Sequence, residues 1–164
     1  MSDTGVQSSQ NGFSNDGNQY LTFKLREEEY GIEILRVQEI KGFSRITPLP
    51  NTPSYLKGVL NLRGTVVPIV DLRTKFSLPE TAYDRFTVII VVTVGKKVVG
   101  LVVDAVSDVL NIVPDEVAAA PELGAGIDTS FMTGMAKAGD KLITLLNVEK
   151  LVNHEELAVT ESAA

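Results

Sequence analysis

The chain has 164 residues, a formal net charge of −6 and no cysteine. Nucleic-acid binding needs a basic face that neutralises phosphates, so the acidic balance argues against a nucleic-acid partner. The missing thiol excludes disulfides, cysteine-based metal sites and a cysteine nucleophile, and it fits a reducing compartment. The first residues lack the basic and apolar parts of a signal peptide, and no apolar run is long enough to cross a bilayer. These features predict a cytoplasmic protein.

Composition divides the chain into a tail, a folded domain and a second tail. Residues 1–18 are mostly Ser, Asn, Gln, Gly and Asp, with few large apolar side chains. Such a segment cannot bury enough apolar surface to offset its ordering entropy, so we expect a disordered N-terminal tail. Residues 158–164 are expected to fray, and both ends are interpreted as solvated segments without a function of their own. The folded domain is predicted over residues 19–157.

The pattern of the folded domain is typical of strands. Segments rich in β-branched and aromatic residues are predicted to be strands at 20–25, 88–94, 98–103 and 106–112. Helices are predicted only at 71–76 and 147–153, where Asp71 and Asn147 suit the N-cap position. Many short strands at close spacing indicate an all-β protein with short helices, built as barrels rather than as an α/β sheet.

The domain also contains an internal duplication. Gly31 aligns with Gly100 at an offset of 69 residues, within segments of the same strand pattern. Gly58 aligns with Gly134 at an offset of 76 residues, and this offset also aligns the two capped helices. The difference between the offsets places about seven extra residues in the second half, near the glycine-rich segment 121–127. We therefore predict two similar β-barrels of about five strands each, with a cleft between them.

Residues 60–72 predict a hairpin with an arginine at its turn. Gly64 reaches positive φ at little cost, so the chain can reverse tightly after Arg63. Pro68 interrupts the apolar strand that follows. Because proline cannot donate to a ladder, this strand is expected at a sheet edge or beside a bulge. An edge strand beside an exposed arginine suits a partner surface better than a catalytic site.

Glu39 interrupts an apolar strand on the same predicted barrel as Arg63. The two side chains are expected to form an ion pair, and a solvated pair stabilises a fold very little. Two interpretations stay open at this point. The pair is either a surface salt bridge without a further role or a set of charges that a partner recognises.

No combination of residues predicts catalysis or metal binding. His154 is the only histidine and lies in a Glu-rich segment, where a solvated helix-end role is favoured over that of a general base. Asp104 and Asp108 are joined by no cysteine or second histidine, and their segment alternates like a strand. The Gly-x-Gly at 124–126 lacks a following lysine and is interpreted as a flexible connection rather than a phosphate-binding loop. No catalytic residue, metal site or cofactor is predicted.

Five motifs together resemble the CheW family of bacterial chemotaxis coupling proteins. They occupy residues 29–34, 37–40, 57–64, 67–72 and 99–104, and they read EYGIEI, VQEI, KGVLNLRG, VPIVDL and VGLVVD. The resemblance runs in order from about residue 19 to residue 157, nearly the whole predicted domain. The same fold also occurs in the regulatory domain of the chemotaxis histidine kinase and in CheV-type adaptors. A chain of 164 residues has no room for a kinase core or a receiver domain, so the resemblance implies a free-standing adaptor.

This resemblance implies two SH3-like five-stranded β-barrels with a groove between them, and neither catalytic activity nor a cofactor. Proteins of this family link the cytoplasmic tips of methyl-accepting chemoreceptors to the regulatory domain of the histidine kinase, in arrays at the inner face of the membrane. Membrane association is thus only indirect, through the receptors. The groove would accept the apolar stripe of the receptor's helical hairpin, and barrel-end faces would pack against the kinase domain.

The resemblance also assigns roles to individual residues. Glu39 and Arg63 match the charged pair that the family uses in its signalling contacts. Positions associated with receptor and kinase coupling are matched by Val37, Gly100, Val109 and Gly134. The two glycines are explained either by a close approach that a side chain would block or by a simple turn or bulge.

Two other classes of function are weighed against this adaptor. A small-barrel nucleic-acid binder would need a basic groove with aromatic platforms for stacking, but the charge is −6 and only 6% of residues are aromatic. A hydrolase would need a nucleophile beside a base, and the sequence offers no credible pair.

Overall fold

The computed structural model describes residues 19–78, 82–118 and 131–152. The predictions made for the two tails, for His154 and for the glycine-rich segment 121–127 lie outside these residues. All four predicted strand segments and both short helices are found. Asp71 and Asn147 cap the helices as predicted, since their side chains accept hydrogen bonds from the backbone N–H groups of Arg73 and Lys150.

The described residues form eleven strands, two short α-helices and two 3₁₀ turns. The strands are β1 (Gln19–Leu25), β2 (Glu28–Glu33), β3 (Val37–Gly42), β4 (Leu56–Leu62), β5 (Thr65–Asp71), β6 (Val88–Val94), β7 (Lys97–Val103), β8 (Ala105–Asn111), β9 (Val117–Ala118), β10 (Met132–Ala138) and β11 (Lys141–Leu146). The helices are α1 (Leu72–Lys75) and α2 (Val148–Leu151), and the 3₁₀ turns lie at Ile34–Arg36 and Pro114–Glu116. The predicted class, all-β with short helices, is confirmed.

The strands form two sheets. One has the order β3-β6-β7-β5-β4, and we call it the continuous barrel because its strands all lie within residues 37–103. The other has the order β9-β10-β11-β2-β1-β8, and we call it the split barrel because its strands come from residues 19–33 and 105–146. Since β9 has only two residues, each barrel has five longer strands, as predicted. Neighbouring strands are antiparallel except for one parallel pair in each sheet, β5 with β7 and β2 with β11.

The predicted duplication is present, but its halves do not coincide with the barrels. The hairpin β1–β2 corresponds to β6–β7 at the offset of 69 residues, and β4–β5 with α1 corresponds to β10–β11 with α2 at 76. Each first hairpin joins the sheet of the other repeat, because β6–β7 lies between β3 and β5 while β1–β2 lies between β8 and β11. In the described part of the chain, the backbone therefore passes between the barrels at two places, Ile34–Arg36 and Asp104.

The largest core cluster lies between the two barrels rather than inside either one. It combines Phe23 of the split barrel with Leu101 of the continuous barrel, both fully buried. Two smaller clusters fill the barrel interiors, one around Ile69 and one around Ile143. The facing surfaces of the barrels are therefore packed together, and the groove stays a prediction about the surface at the margin of this core.

The hairpin at Arg63 forms as predicted. Arg63 and Gly64 have φ values of 52° and 88°. Positive φ at both central residues is the signature of a type I′ turn, whose twist matches that of the flanking strands. The turn therefore depends on an arginine in a conformation that usually favours glycine.

The expected edge position of the strand that contains Pro68 is wrong, because β5 lies between β4 and β7. Val59 stands opposite Pro68, and its N–H donates to the carbonyl oxygen of Thr47 on the far side. The two residues thus form a pair without hydrogen bonds across the hairpin. The ring nitrogen of Pro68 then faces β7, where the parallel ladder begins only at Ile69, so no bond is lost. The other predicted alternative, a bulge, is found on the facing strand at 56–58.

Candidate partner-binding faces

The expected ion pair between Glu39 and Arg63 is present at the edge of the continuous barrel. Arg63 Nη2 donates a hydrogen bond to Glu39 Oε2. Glu39 lies on β3, which pairs with β6 on one side only, and Arg63 lies in the turn between β4 and β5. The side chains of Glu39 and Arg63 are 27% and 66% exposed, so both charges can be reached from solvent.

Each member of the pair holds the other in its charged form. The hydrogen bond from Arg63 is the largest cause that lowers the pKa of Glu39, and the positive charges of Arg63 and Lys41 act in the same direction. The same hydrogen bond raises the pKa of Arg63. Both groups are therefore ionised at neutral pH, and this face presents an acid and a base side by side.

The ion pair occurs on only one of the two related barrels. At the offsets of the duplication, Glu39 corresponds to Asp108, and Arg63 corresponds to Gly139. Gly139 has a φ of 62°, so it adopts the left-handed conformation without a side chain, whereas Arg63 adopts it with one. The arginine gives the continuous barrel a charged face that the split barrel lacks at the equivalent turn.

A small cavity of about 180 Å³ opens beside Arg63. Its lining is formed by Gln38, Leu62, Arg63, Thr65, Val67 and Val98. Pockets for cofactors and drug-sized ligands occupy about 300–1,000 Å³, so this cavity suits one side chain of a partner better than a cofactor. An apolar floor with a polar rim is also the common anatomy of a protein–protein contact.

Two exposed apolar residues mark related places on the two barrels. Val109 on β8 is 37% exposed, and Ile40 on β3 is 43% exposed. They are equivalent at the offset of 69 residues, and both strands lie at the edge of their sheets. Sequence analysis selected Val109 and missed Ile40, although the same offset would have identified it. Ile40 adds apolar surface directly beside Glu39 in the chain.

Val37 connects the surface of β3 with the interior. It is half-buried, stands opposite Val92 in the sheet and packs against the core between the barrels. A substitution at Val37 would therefore change the packing beneath β3 as well as the surface that β3 presents.

Gly100 and Gly134 are buried inside the structure. A Cβ on Gly100 would lie 2.6 Å from Ile69 Cδ1 and 2.8 Å from Ile89 Cγ2, within the continuous barrel. A Cβ on Gly134 would lie 2.7 Å from the carbonyl oxygen of Ala118, at a register shift in β10. Close packing of the chain against itself, with a bulge at Gly134, explains both glycines. Any effect of these positions on partner coupling would be indirect.

A buried ionic network, which the sequence analysis missed, joins the two barrels. The Asp71 carboxylate accepts hydrogen bonds from Arg73 Nε at 3.2 Å and from the Tyr83 hydroxyl at 3.0 Å. Arg73 Nη1 lies 3.3 Å from Asp104 Oδ1, and Asp104 Oδ2 accepts the Arg26 N–H at 2.6 Å. The Arg73 side chain is only 2% exposed. Its partners lie far apart in the chain, and no local pattern relates them.

The acidic residues considered for metal binding have structural partners instead. Asp104 belongs to the ionic network, while the Asp108 carboxylate accepts the Val109 N–H at 2.9 Å. Within the residues that the structure describes, no group of three or more side chains could hold a metal ion. Burial, followed by the charge of Asp71 and the hydrogen bond to it, raises the pKa of Tyr83 to about 12.

Relatives of this chain are found among known proteins. A family model described as the CheW-like domain matches residues 19–156. The chain is 46% identical over 148 residues to the chemotaxis protein CheW of Klebsiella aerogenes, which covers 90% of this chain and 89% of that protein. It is 34% identical to the chemotaxis protein CheW of Rhizobium meliloti, with 87% and 92% covered. It is 31% identical to protein FrzA of Myxococcus xanthus, with 82% and 84% covered.

A solved structure has the same fold. The crystal structure of the scaffolding protein TtCheW from Thermoanaerobacter tengcongensis matches with a TM-score of 0.77 at 34% identity. The match covers 85% of this chain and 97% of that one. This likeness confirms the architecture of two SH3-like barrels. Among the described elements, no helix has the length and apolar character needed to cross a membrane.

Proposed function

We propose, on the premise that the chain belongs to the CheW-like domain family, that it couples methyl-accepting chemoreceptors to the regulatory domain of the chemotaxis histidine kinase. Members of this family are non-catalytic chemotaxis scaffolds, and this chain is one of them. Such a protein acts by holding its partners together rather than by transforming a substrate. The receptors would recruit it from the cytoplasm to arrays at the inner face of the membrane.

The ion pair of Glu39 and Arg63 on an exposed strand edge carries this proposal. Arginine is enriched among the residues that contribute most to protein–protein binding, above all beside a pocket that excludes water. Here Arg63 lines a small cavity, and Ile40 adds apolar surface on the same strand as Glu39. The face thus offers two opposite charges and a place for one inserted side chain. We assign it to the kinase regulatory domain.

The receptor would use a different surface. A helical hairpin presents an apolar stripe along one side, and such a stripe docks into a groove between packed elements. The margin of the core between the barrels is the place for that groove, and Val37 packs against this core from β3. Signal transfer would then be a shift in the conformational populations of the kinase.

Reconstitution tests the proposal. Receptor-containing membranes and the cognate histidine kinase are mixed with or without this protein, and kinase autophosphorylation is measured. We expect the rate to rise only when all three components are present and to fall when attractant is added. If the protein binds neither kinase nor receptor and leaves the rate unchanged, the proposed function is wrong.

Charge reversal separates the two interpretations of the ion pair. If the partner recognises each charge, Glu39→Arg and Arg63→Glu each lower kinase activation, and the double exchange stays low although it restores an ion pair. A salt bridge without a further role would instead be rescued by the exchange. Lys96→Glu is the matched control, because it reverses one charge in the exposed β6–β7 turn. Melting curves of all four variants confirm that they remain folded.

A further inference from the structure

We propose that Asp104 sets the angle between the two barrels, with Arg73 holding its carboxylate on the side of the continuous barrel. This inference concerns the internal geometry of the chain, so it holds or fails independently of the partners that the adaptor binds.

Asp104 contacts both barrels at the point where the chain passes from one to the other. Its backbone N–H donates to the carbonyl oxygen of Lys24 at 3.1 Å, and its Oδ2 accepts the Arg26 N–H at 2.6 Å. Both contacts belong to β1 and its turn in the split barrel. Its Oδ1 lies 3.3 Å from Arg73 Nη1, in the helix that follows β5 of the continuous barrel. One carboxylate therefore directs one oxygen to each barrel.

Arg73 cannot follow Asp104 freely because it is anchored on its other side. Its Nη2 lies 3.1 Å from Asp71 Oδ2, and the Arg73 and Asp71 side chains are 2% and 0% exposed. Its guanidinium carbon also lies 4.8 Å from the centre of the Tyr83 ring. Moving Arg73 away from these groups would leave a buried charge without compensation, which is strongly unfavourable. The connection from Asp104 to the continuous barrel is therefore stiff.

The other crossing has a weaker version of the same connection. Arg36 Nη1 lies 3.3 Å from Glu149 Oε2 in α2, and the Arg36 carbonyl oxygen accepts the Thr93 hydroxyl at 3.5 Å. Glu149 corresponds to Arg73 at the offset of 76 residues, so the two connections are related and their charges are reversed. The Arg36 and Glu149 side chains are 36% and 50% exposed. A solvated ion pair of this kind constrains little.

The apolar core does not set the angle by itself. Apolar burial holds the barrels together, but its free energy is non-directional and depends mainly on the area removed from water. Hydrogen bonds and buried ion pairs weaken steeply when their geometry changes. The core therefore determines that the barrels associate, and the contacts of Asp104 determine at which angle.

The absence of cysteine makes a distance measurement straightforward. Spin labels are attached at Lys96→Cys and Asp140→Cys, two exposed hairpin turns in different barrels, and their separation is measured by double electron–electron resonance. The parent protein should show one narrow distance. Asp104→Ala should add a second population of about 10% or more. Glu149→Gln, which breaks the related exposed pair, should leave the parent distribution unchanged.

Labels at Thr65→Cys and Lys96→Cys, both in the continuous barrel, show whether that barrel itself stays intact. An unchanged distance between the barrels in Asp104→Ala overturns the proposal even if thermal stability falls. Equal broadening in Glu149→Gln overturns the assignment to Asp104. If Asp104→Ala does not fold, Asp104→Asn decides, because it keeps an acceptor for the Arg26 N–H and loses the charge facing Arg73. A single parent-like distance in that variant overturns the proposal, and a second population supports it.

Discussion

Gly100→Ala tests whether this glycine is required for packing inside the continuous barrel. The added Cβ would lie 2.6 Å from Ile69 Cδ1 and 2.8 Å from Ile89 Cγ2, both shorter than normal carbon–carbon contacts. Both isoleucines are fully buried, so neither can swing into solvent. Overpacking of a well-packed core costs about 1–3 kcal/mol in the free energy of unfolding. The melting temperature should fall by about 2–8 °C for each kcal/mol lost.

A matched control and a compensating change sharpen this experiment. Gly42→Ala also adds a methyl group to a strand, but no atom lies within 4 Å of its Cβ. Its effect should stay within about 0.5 kcal/mol. Ile69→Val removes the Cδ1 atom that the new methyl group would meet, at a cost of about 0.5–1.5 kcal/mol by itself. Combined with Gly100→Ala, its cost should be smaller than the sum of the two single effects.

Urea unfolding followed by circular dichroism provides these free energies. If Gly100→Ala is as stable as Gly42→Ala, or if the costs of Gly100→Ala and Ile69→Val simply add, the packing argument is wrong. Kinase activation by Gly100→Ala, measured at a temperature where it is folded, then shows whether the coupling role implied by the resemblance acts through stability.

Strain and ionisation lead to three other expectations. Arg26→Gly should raise the free energy of unfolding by about 1 kcal/mol, because Arg26 has a φ of 58° and the equivalent turn has Gly95; a loss of stability in urea would show that the Arg26 side chain matters. Burial and the charge of Asp71 raise the pKa of Tyr83 from 10.0 to about 12, so its stabilising contribution is complete below pH 10.0 and is lost as the pH rises towards 12. Tyr83→Phe should flatten unfolding free energies over that window, and an unchanged alkaline profile would contradict the assignment. The hydrogen bond from Arg63 lowers the pKa of Glu39 below 4.5, so its contribution is present above pH 4.5 and is lost as the pH falls through the folded value. Urea unfolding at a series of acidic pH values should show a weaker pH dependence for Glu39→Gln than for the parent protein.

The strands, the short helices and the duplication were predictable because their signals are local. Alternation with a period of two identifies a strand wherever one face is buried, and an Asp or Asn before a short apolar run caps a helix through its own side chain. Asp71 and Asn147 therefore had the predicted role. The ion pair of Glu39 and Arg63 was predictable for a related reason, since both residues had been placed on one barrel.

The place of each element among its neighbours was not predictable in the same way. Pro68 indicated an edge strand, but hydrogen bonding in a sheet depends on which side each N–H faces. That direction is set by pairing with Thr47 and β7 rather than by the proline. The roles of Gly100 and Gly134 were left open for the same reason, because only the surrounding side chains show what a Cβ would meet.

The sequence by itself determined which segments are strands, where the chain turns, that the domain is duplicated and which charges stand at the continuous barrel's edge. Those properties depend on residues within a few positions of each other or on a constant offset along the chain. Only the tertiary structure decided that the repeats exchange their first hairpins and that the main core lies between the barrels. It alone brought Arg73 to Asp104, because such contacts depend on how distant segments fill space together, and no period or spacing along one chain encodes that arrangement.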